Sequence, residues 1–398
     1  MMTLHNWHSG NYLAAGAIAI VIFCLGVMVD RQAFFACWLV AWWTCAGAVL
    51  GSQANLWLHD LSGGAWGEPL RPIWRRLTAA MPMLLALMIP LAAAAWMFYP
   101  WSDTAWAPSS RHPDFQALWL SPAFVTLRLA IYAAIWQTLS LMSTVREDHA
   151  QQQHPGPGKR RKGMSALGLI AYGFTISLAG IDLIMSLMPQ WYSSGFGLIA
   201  ITMQMKLGFA LGVAGAAAPG LWRQPFSHNE DSIASHEATA VAAEFPPQLG
   251  RDWGNLLLMY VMMWAYIAFV QFLIIWAENL PNEIAWYVPR MQTNWVWLGV
   301  VLATAGFFAP LLLLLLRAVK QNCLRLRAVA IALCVLGWLE SIWVALPSVP
   351  GLTWHTLWMA PLALTGMTAL LCSMAMPGRR KWPIRGKPAA IRQVENKP

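Results

Sequence analysis

Apolar residues run along this chain in long, nearly unbroken stretches. Ten stand out, at about 12–29, 34–55, 77–99, 121–143, 165–188, 195–218, 253–277, 294–317, 326–346 and 355–376. Each is close to the ~17–25 residues an α-helix needs to cross a hydrocarbon core. Only helices and closed barrels satisfy their own backbone in lipid, and these runs are too long and continuous for barrel strands. The pattern therefore predicts an all-α integral membrane protein with about ten transmembrane helices. Residues 1–376 are expected to form one polytopic domain and 377–398 a basic tail. Residues 1–11 hold no Lys or Arg and no small-residue cleavage site follows, so the first stretch is expected to remain as a span.

Composition agrees with this reading. Hydrophobic residues make up 58% and charged residues 11%, against about 25% charged in ordinary soluble domains. Mean hydropathy is +0.50. A soluble enzyme, a disordered chain and a polar-surfaced solenoid are excluded. The 25 Trp suit the membrane–water interface, where an apolar ring carries one N–H donor. The net charge of +9 would point to nucleic acid in a soluble protein, but its distribution gives it another meaning. The termini and the loops after the even-numbered spans carry 21 of the 26 Lys and Arg. The other loops carry only Arg31, Arg111 and Arg290, and Arg128 and Lys206 lie inside spans. This asymmetry places both termini in the cytoplasm. It also accounts for the basic runs at 159–162 and 379–381.

Motifs for soluble chemistry are missing: there is no phosphate-binding loop, dinucleotide fingerprint or Ser–His–Asp signature. Two long polar linkers break the pattern. Residues 144–164 include Gln151–Gln153 and Pro155–Gly158, and residues 219–252 include His228, Glu230, Asp231, His236 and Glu237. The second set does not have the spacing of a short metal-ligand motif, and no metal is expected. The cysteines (Cys24, Cys37, Cys45, Cys323, Cys334, Cys372) form no C-x-x-C pair and read as small core residues.

Ionisable side chains inside spans are the most informative positions, because each is costly in hydrocarbon when unpaired. They are Arg128 in the fourth stretch, Asp182 in the fifth, Lys206 in the sixth and Glu340 in the ninth. Asp182, Glu340 and Arg128 share a depth roughly 9 Å from the outer helix ends at 1.5 Å per residue, whereas Lys206 lies close to the midplane. Asp30, Glu278 and His355 sit at outer helix ends. A polar belt at one height predicts a water-accessible half-channel. In it Asp182 and Glu340 relay protons, and Arg128 and Lys206 hold one of them ionised. Ser186 shares a helix face with Asp182, and Pro189 is expected to end that helix. Gln271, near Tyr266 and Glu278, suits a hydrogen bond between helices. His59 reads as a solvated loop residue beside Asp60, with a quinone headgroup as the competing partner.

Several blocks resemble the ActF-type membrane subunit of alternative complex III, within the NrfD-like group. They are Gly254-Asn255-Leu256-Leu257-Leu258, Trp264-Ala265-Tyr266, Gln271-Phe272-Leu273-Ile274-Ile275-Trp276, Asn279-Leu280-Pro281 and Glu283-Ile284-Ala285-Trp286-Tyr287. Met185-Ser186-Leu187, Pro189, Trp191-Tyr192-Ser193 and the His59, Leu61, Gly63-Gly64, Trp66-Gly67 loop resemble the same group. The likeness covers roughly residues 30–376. It implies two four-helix bundles with flanking helices in a bacterial cytoplasmic (inner) membrane. It also implies a place in a quinol:electron-acceptor oxidoreductase. Quinone or quinol is the small molecule implied. Haem c and iron–sulfur clusters are expected on partner chains: a multihaem cytochrome c, an iron–sulfur subunit and a paralogous NrfD-like subunit. Asp182 and Glu340 fall on acidic positions of the family pattern. Leu183 stands where the family often has Trp, Gln190 where it often has His, and Lys206 where a small or neutral residue is expected. A stand-alone ion-coupled transporter and a pure assembly scaffold are the competing readings.

Overall fold

The computed structural model describes residues 9–108, 112–150, 159–218, 222–223, 243–352 and 354–375. Among these, nine helices are long and apolar enough to cross a membrane. They are α1 (Gly10–Met28), α2 (Arg31–Ser62), α3 (Arg71–Ala94), α4 (Pro122–Ser143), α5 (Arg161–Leu187), α6 (Phe196–Ala216), α7 (Pro247–Glu278), α8 (Val296–Leu315) and α9 (Cys323–Ser348). A shorter apolar helix, α10 (Met359–Ala375), follows. Each corresponds to one predicted stretch. The only extended pairing among the described residues is a parallel contact of Trp222–Arg223 with Ala243–Glu244. The acidic and histidine stretch at 228–237, the linker at 151–158 and the basic tail lie outside the described residues.

α2 is the hub. It packs against α3, α5, α6, α9 and α10, while α1 lies along α10. A helix hydrophobic all round is a buried one, and nearly every α2 residue from Ala33 to Trp57 is buried. Asp30 caps its start, with Oδ1 accepting from the amides of Gln32 at 2.8 Å and Ala33 at 3.0 Å. By contrast α1, α7 and α8 are mostly exposed. Ile18, Val21, Phe269, Trp276 and Leu312 point outward, as suits surfaces solvated by lipid tails.

α2 and α6 cross at glycines. A Cβ on Gly51 would lie 1.9 Å from the Gln204 carbonyl oxygen, and one on Gly208 would lie 2.4 Å from the Gly51 carbonyl carbon. Small residues let two backbones come this close. Polar bonds then fasten the crossing. Asn55 donates to the Met205 carbonyl at 2.9 Å and accepts from the Tyr260 hydroxyl of α7 at 2.6 Å. Trp74 of α3 donates to the Gly208 carbonyl at 2.9 Å.

α3 is not continuous. It breaks near Ala80 and again at Leu87–Met88, two or three residues before Pro82 and Pro90. A proline lacks the amide donor and clashes with the carbonyl a turn earlier, so ladder bonds are lost. Two freed carbonyls are reclaimed from α2: Trp42 donates to Leu84 at 3.0 Å and Trp38 to Leu87 at 3.0 Å. Trp38 and Trp42 are four residues apart and share a helix face. In α8, Leu302–Phe308 form a π-helical turn just before Pro310, a widening that tolerates the proline ring and often marks a functional site.

Replacing Gly51 with Ala should force α2 and α6 apart and cost about 1–3 kcal/mol, the usual penalty of overpacking. Thermal unfolding of the purified protein in detergent checks this; an unchanged midpoint would show that the helices do not cross here.

Candidate functional site

The in-span charges form two separate pairs, Arg128 with Asp182 and Lys206 with Glu340. The first lies between α4 and α5. Arg128 Nε donates to Asp182 Oδ2 at 2.9 Å and Nη2 to Oδ1 at 2.8 Å, a two-pronged contact. Tyr132, one turn along α4, adds a third bond to Oδ2 at 2.9 Å. Nη2 also donates to the Trp119 carbonyl at 2.8 Å. The guanidinium lies 4.1 Å from the Trp119 ring centroid and 4.5 Å from that of Phe124, within cation–π range. Asp182 is fully buried. Three donors hold this carboxylate and two rings flank its guanidinium partner, which suits a fixed cross-link better than proton exchange.

The second pair lies between α6 and α9 and is built differently. Lys206 Nζ meets Glu340 Oε1, with both residues at 1% exposure. The ammonium also lies over the Trp264 ring of α7, 4.0 Å from its centroid. Glu340 Oε2 is buried and has no hydrogen-bond partner. A buried carboxylate oxygen without a donor is costly, so the site has unused capacity. Glu340 also lines a cavity of about 750 Å³ bounded by α6, α7, α8 and α9. Ile199, Met203, Phe269, Phe272 and Phe307 supply much of its apolar wall. The π-helical turn of α8 forms part of that wall.

The expected single belt of charge is therefore not formed. No hydrogen bond or ion pair among the described residues joins Asp182 to Glu340. Lys206, which had no partner legible in the sequence, pairs with Glu340. Ser186 donates to the Asp182 backbone carbonyl at 2.5 Å, not to its carboxylate. Asp30 is a helix cap, and Glu278 and His355 are exposed. Gln271 is buried on α7 and accepts from Ser193 Oγ at 2.9 Å, linking α7 to the α5–α6 junction. The helical part of α5 stops at Leu183 and a 3₁₀ turn, Met185–Leu187, precedes Pro189.

His59 corrects the solvated-loop reading, because α2 continues through it to Ser62 and buries it. Its Nδ1 lies 3.0 Å from Arg71 Nη1, which can only donate, so Nε2 carries the proton and donates to the Gly64 carbonyl at 2.9 Å. Asp60 beside it accepts from Arg71 at 2.6 Å, from Arg161 at 2.7 and 3.1 Å and from Ser165 at 3.1 Å. This network ties the end of α2 to the starts of α3 and α5. Gly67 is required next to it, since a Cβ there would lie 2.2 Å from the imidazole. With both ring nitrogens engaged, His59 has no atom left for a quinone headgroup.

Buried charge also occurs outside the two pairs, at Arg71, at Lys320 and, most deeply, at Arg290. Arg290, counted only among the loop cations, is fully buried. It donates to the carbonyls of Trp286 at 2.6 Å, Trp343 at 3.0 Å and Val344 at 2.9 Å, and to Ser348 Oγ at 2.9 Å. It also stacks on Trp286, 3.5 Å from the ring centroid. Burial lowers its pKa. Two of the carbonyls belong to the last turn of the α-helical part of α9, where free oxygens and the helix dipole favour a cation. The only signal in the sequence was an arginine next to Pro289 among aromatic residues.

No group of three or more His, Cys, Asp or Glu suited to a metal occurs among the described residues, and the six cysteines are unpaired. No protein-family model matches the chain, and no curated protein matches it significantly.

Asp182→Asn should leave Arg128 buried without its counter-charge and cost about 3–5 kcal/mol. Replacing both partners, Arg128→Met with Asp182→Leu, should recover most of that loss. Denaturation of the single and the double variant in detergent measures it; equal losses in the two would contradict a pairwise cross-link.

Proposed function

We propose that this chain is an integral membrane subunit of a respiratory quinol:electron-acceptor oxidoreductase of the alternative complex III kind, in a bacterial cytoplasmic membrane. In this reading α2–α5 and α6–α9 are two four-helix bundles, α1 and α10 flank them, and both termini are cytoplasmic. The helix grouping is supported by the packing of α1 along α10 and by the two charge pairs, one inside each set of four. The sequence blocks on α7 and at the α5–α6 junction support the family reading. Haem c, iron–sulfur clusters and the main quinol site belong to partner chains.

The observation that carries the proton-path role is the Lys206–Glu340 pair. It is buried within the spans, it is held by one carboxylate contact, and its second carboxylate oxygen has no donor. A group in that state can take up and release a proton without dismantling a network. Arg128 and Asp182 act instead as the structural cross-link of the first bundle.

The breaks in α3 and the wide turn in α8 are the feature that favours a stand-alone ion-coupled transporter. Transporters place broken helices at corresponding positions of two repeats. Here α3 is the second helix of its set and α8 the third of its own, so the correspondence fails.

An affinity tag on this chain should retrieve a multihaem cytochrome and an iron–sulfur protein. Within that assembly Glu340→Gln should retain quinol oxidation but lower proton movement at least about tenfold, the scale of losing one proton-transfer group. Isolation of the chain alone, or wild-type proton movement in the variant, would overturn the reading.

A further inference from the structure

The cavity beside Glu340 has features that a proton path does not need. Its volume, about 750 Å³, falls within the ~300–1,000 Å³ typical of small-molecule sites. Its rim residues Tyr266 and Phe269 on α7 and Val300 and Phe308 on α8 are exposed. The opening therefore lies between two helices whose outer faces are apolar, so a molecule dissolved in the bilayer can enter sideways. Inside, the wall is almost wholly aromatic and aliphatic, and Glu340 is the one ionisable group among its lining residues apart from the two tyrosines. The carboxylate oxygen that Lys206 does not take has no hydrogen-bond partner.

These features select the ligand's chemistry. An anion is repelled by the carboxylate. A second cation would have to be buried against apolar walls beside an ammonium already in place. A plain hydrocarbon fills the space but leaves the carboxylate oxygen without a donor. What satisfies both walls and oxygen is a neutral molecule with one hydroxyl and a large apolar body.

We propose that this cavity is a binding site for an uncharged, membrane-dissolved amphiphile, its hydroxyl donating to the free oxygen of Glu340 and its apolar body lying among the rings of α7 and α8. Such a hydroxyl occurs on aromatic and on aliphatic lipids alike. The site does not depend on membership of a respiratory assembly, since it uses only residues of this chain.

The test is native mass spectrometry of the detergent-purified full chain with three probes: 3-pentadecylphenol, its methyl ether and 1-hexadecanol. One equivalent of a hydroxyl probe should bind saturably and roughly tenfold tighter than the ether, the worth of one hydrogen bond to a carboxylate. Tighter binding of the phenol identifies an aromatic ligand; tighter binding of the alcohol identifies an aliphatic one. Ala268→Trp on α7 should abolish binding by filling the cavity. Ala303→Trp on the facing wall of α8 is a second block, so that misfolding of one variant leaves the question decidable. Equal binding of hydroxyl and ether probes, or full binding to both tryptophan variants, would overturn the proposal.

Discussion

A charge buried among hydrocarbon must find its opposite, and this requirement organises the rest of the molecule. Four helices each carry one in-span charge, and they meet in complementary pairs: α4 with α5, and α6 with α9. Each pair costs desolvation, so neither is a simple source of stability. What the pairs supply is specificity of neighbours. A helix set with Arg128 facing anything other than Asp182 would leave a bare cation in the bundle. Arg290 obeys the same rule by another route: it has no carboxylate among the described residues and takes its compensation from helix-end carbonyls and a tryptophan face.

The backbone is subject to the same constraint. Prolines break α3 within the apolar layer, and the carbonyls they release would be as costly there as an unpaired side chain. Trp38 and Trp42 on α2 reclaim two of them. The glycine crossing of α2 and α6 brings Asn55, Tyr260 and Trp74 close enough to bond across helices. Part of the tryptophan content, which suits the interface in general, is thus used inside the bundle as a supply of N–H donors.

Span positions were legible because long apolar runs have few other uses. Helix ends were less so: the apolar run of the second stretch stops short of Asp60, yet α2 carries its polar last turn to Ser62 because that turn is buried against Arg71 and Arg161. This is why His59 read as a loop residue. Counting residues along a helix gives the height of a charge but not the direction it faces. Depth therefore placed Asp182, Arg128 and Glu340 in one belt, although they face different neighbours. Height also hid the partnership of Lys206 and Glu340, which were assigned to different depths and still meet, because long side chains span the difference. The cavity had no signal at all, since its walls are residues that would otherwise count as ordinary lipid-facing helix.

The central claim is that the two charge pairs are independent, one fixed and one with spare capacity. The most direct measurement is the unfolding free energy of Asp182→Asn, Glu340→Gln and the variant carrying both, in the same detergent. Independent pairs predict that the two losses add to within about 0.5 kcal/mol. A coupling of more than about 1 kcal/mol between the two sites would show that the charges act as one cluster and would contradict the account.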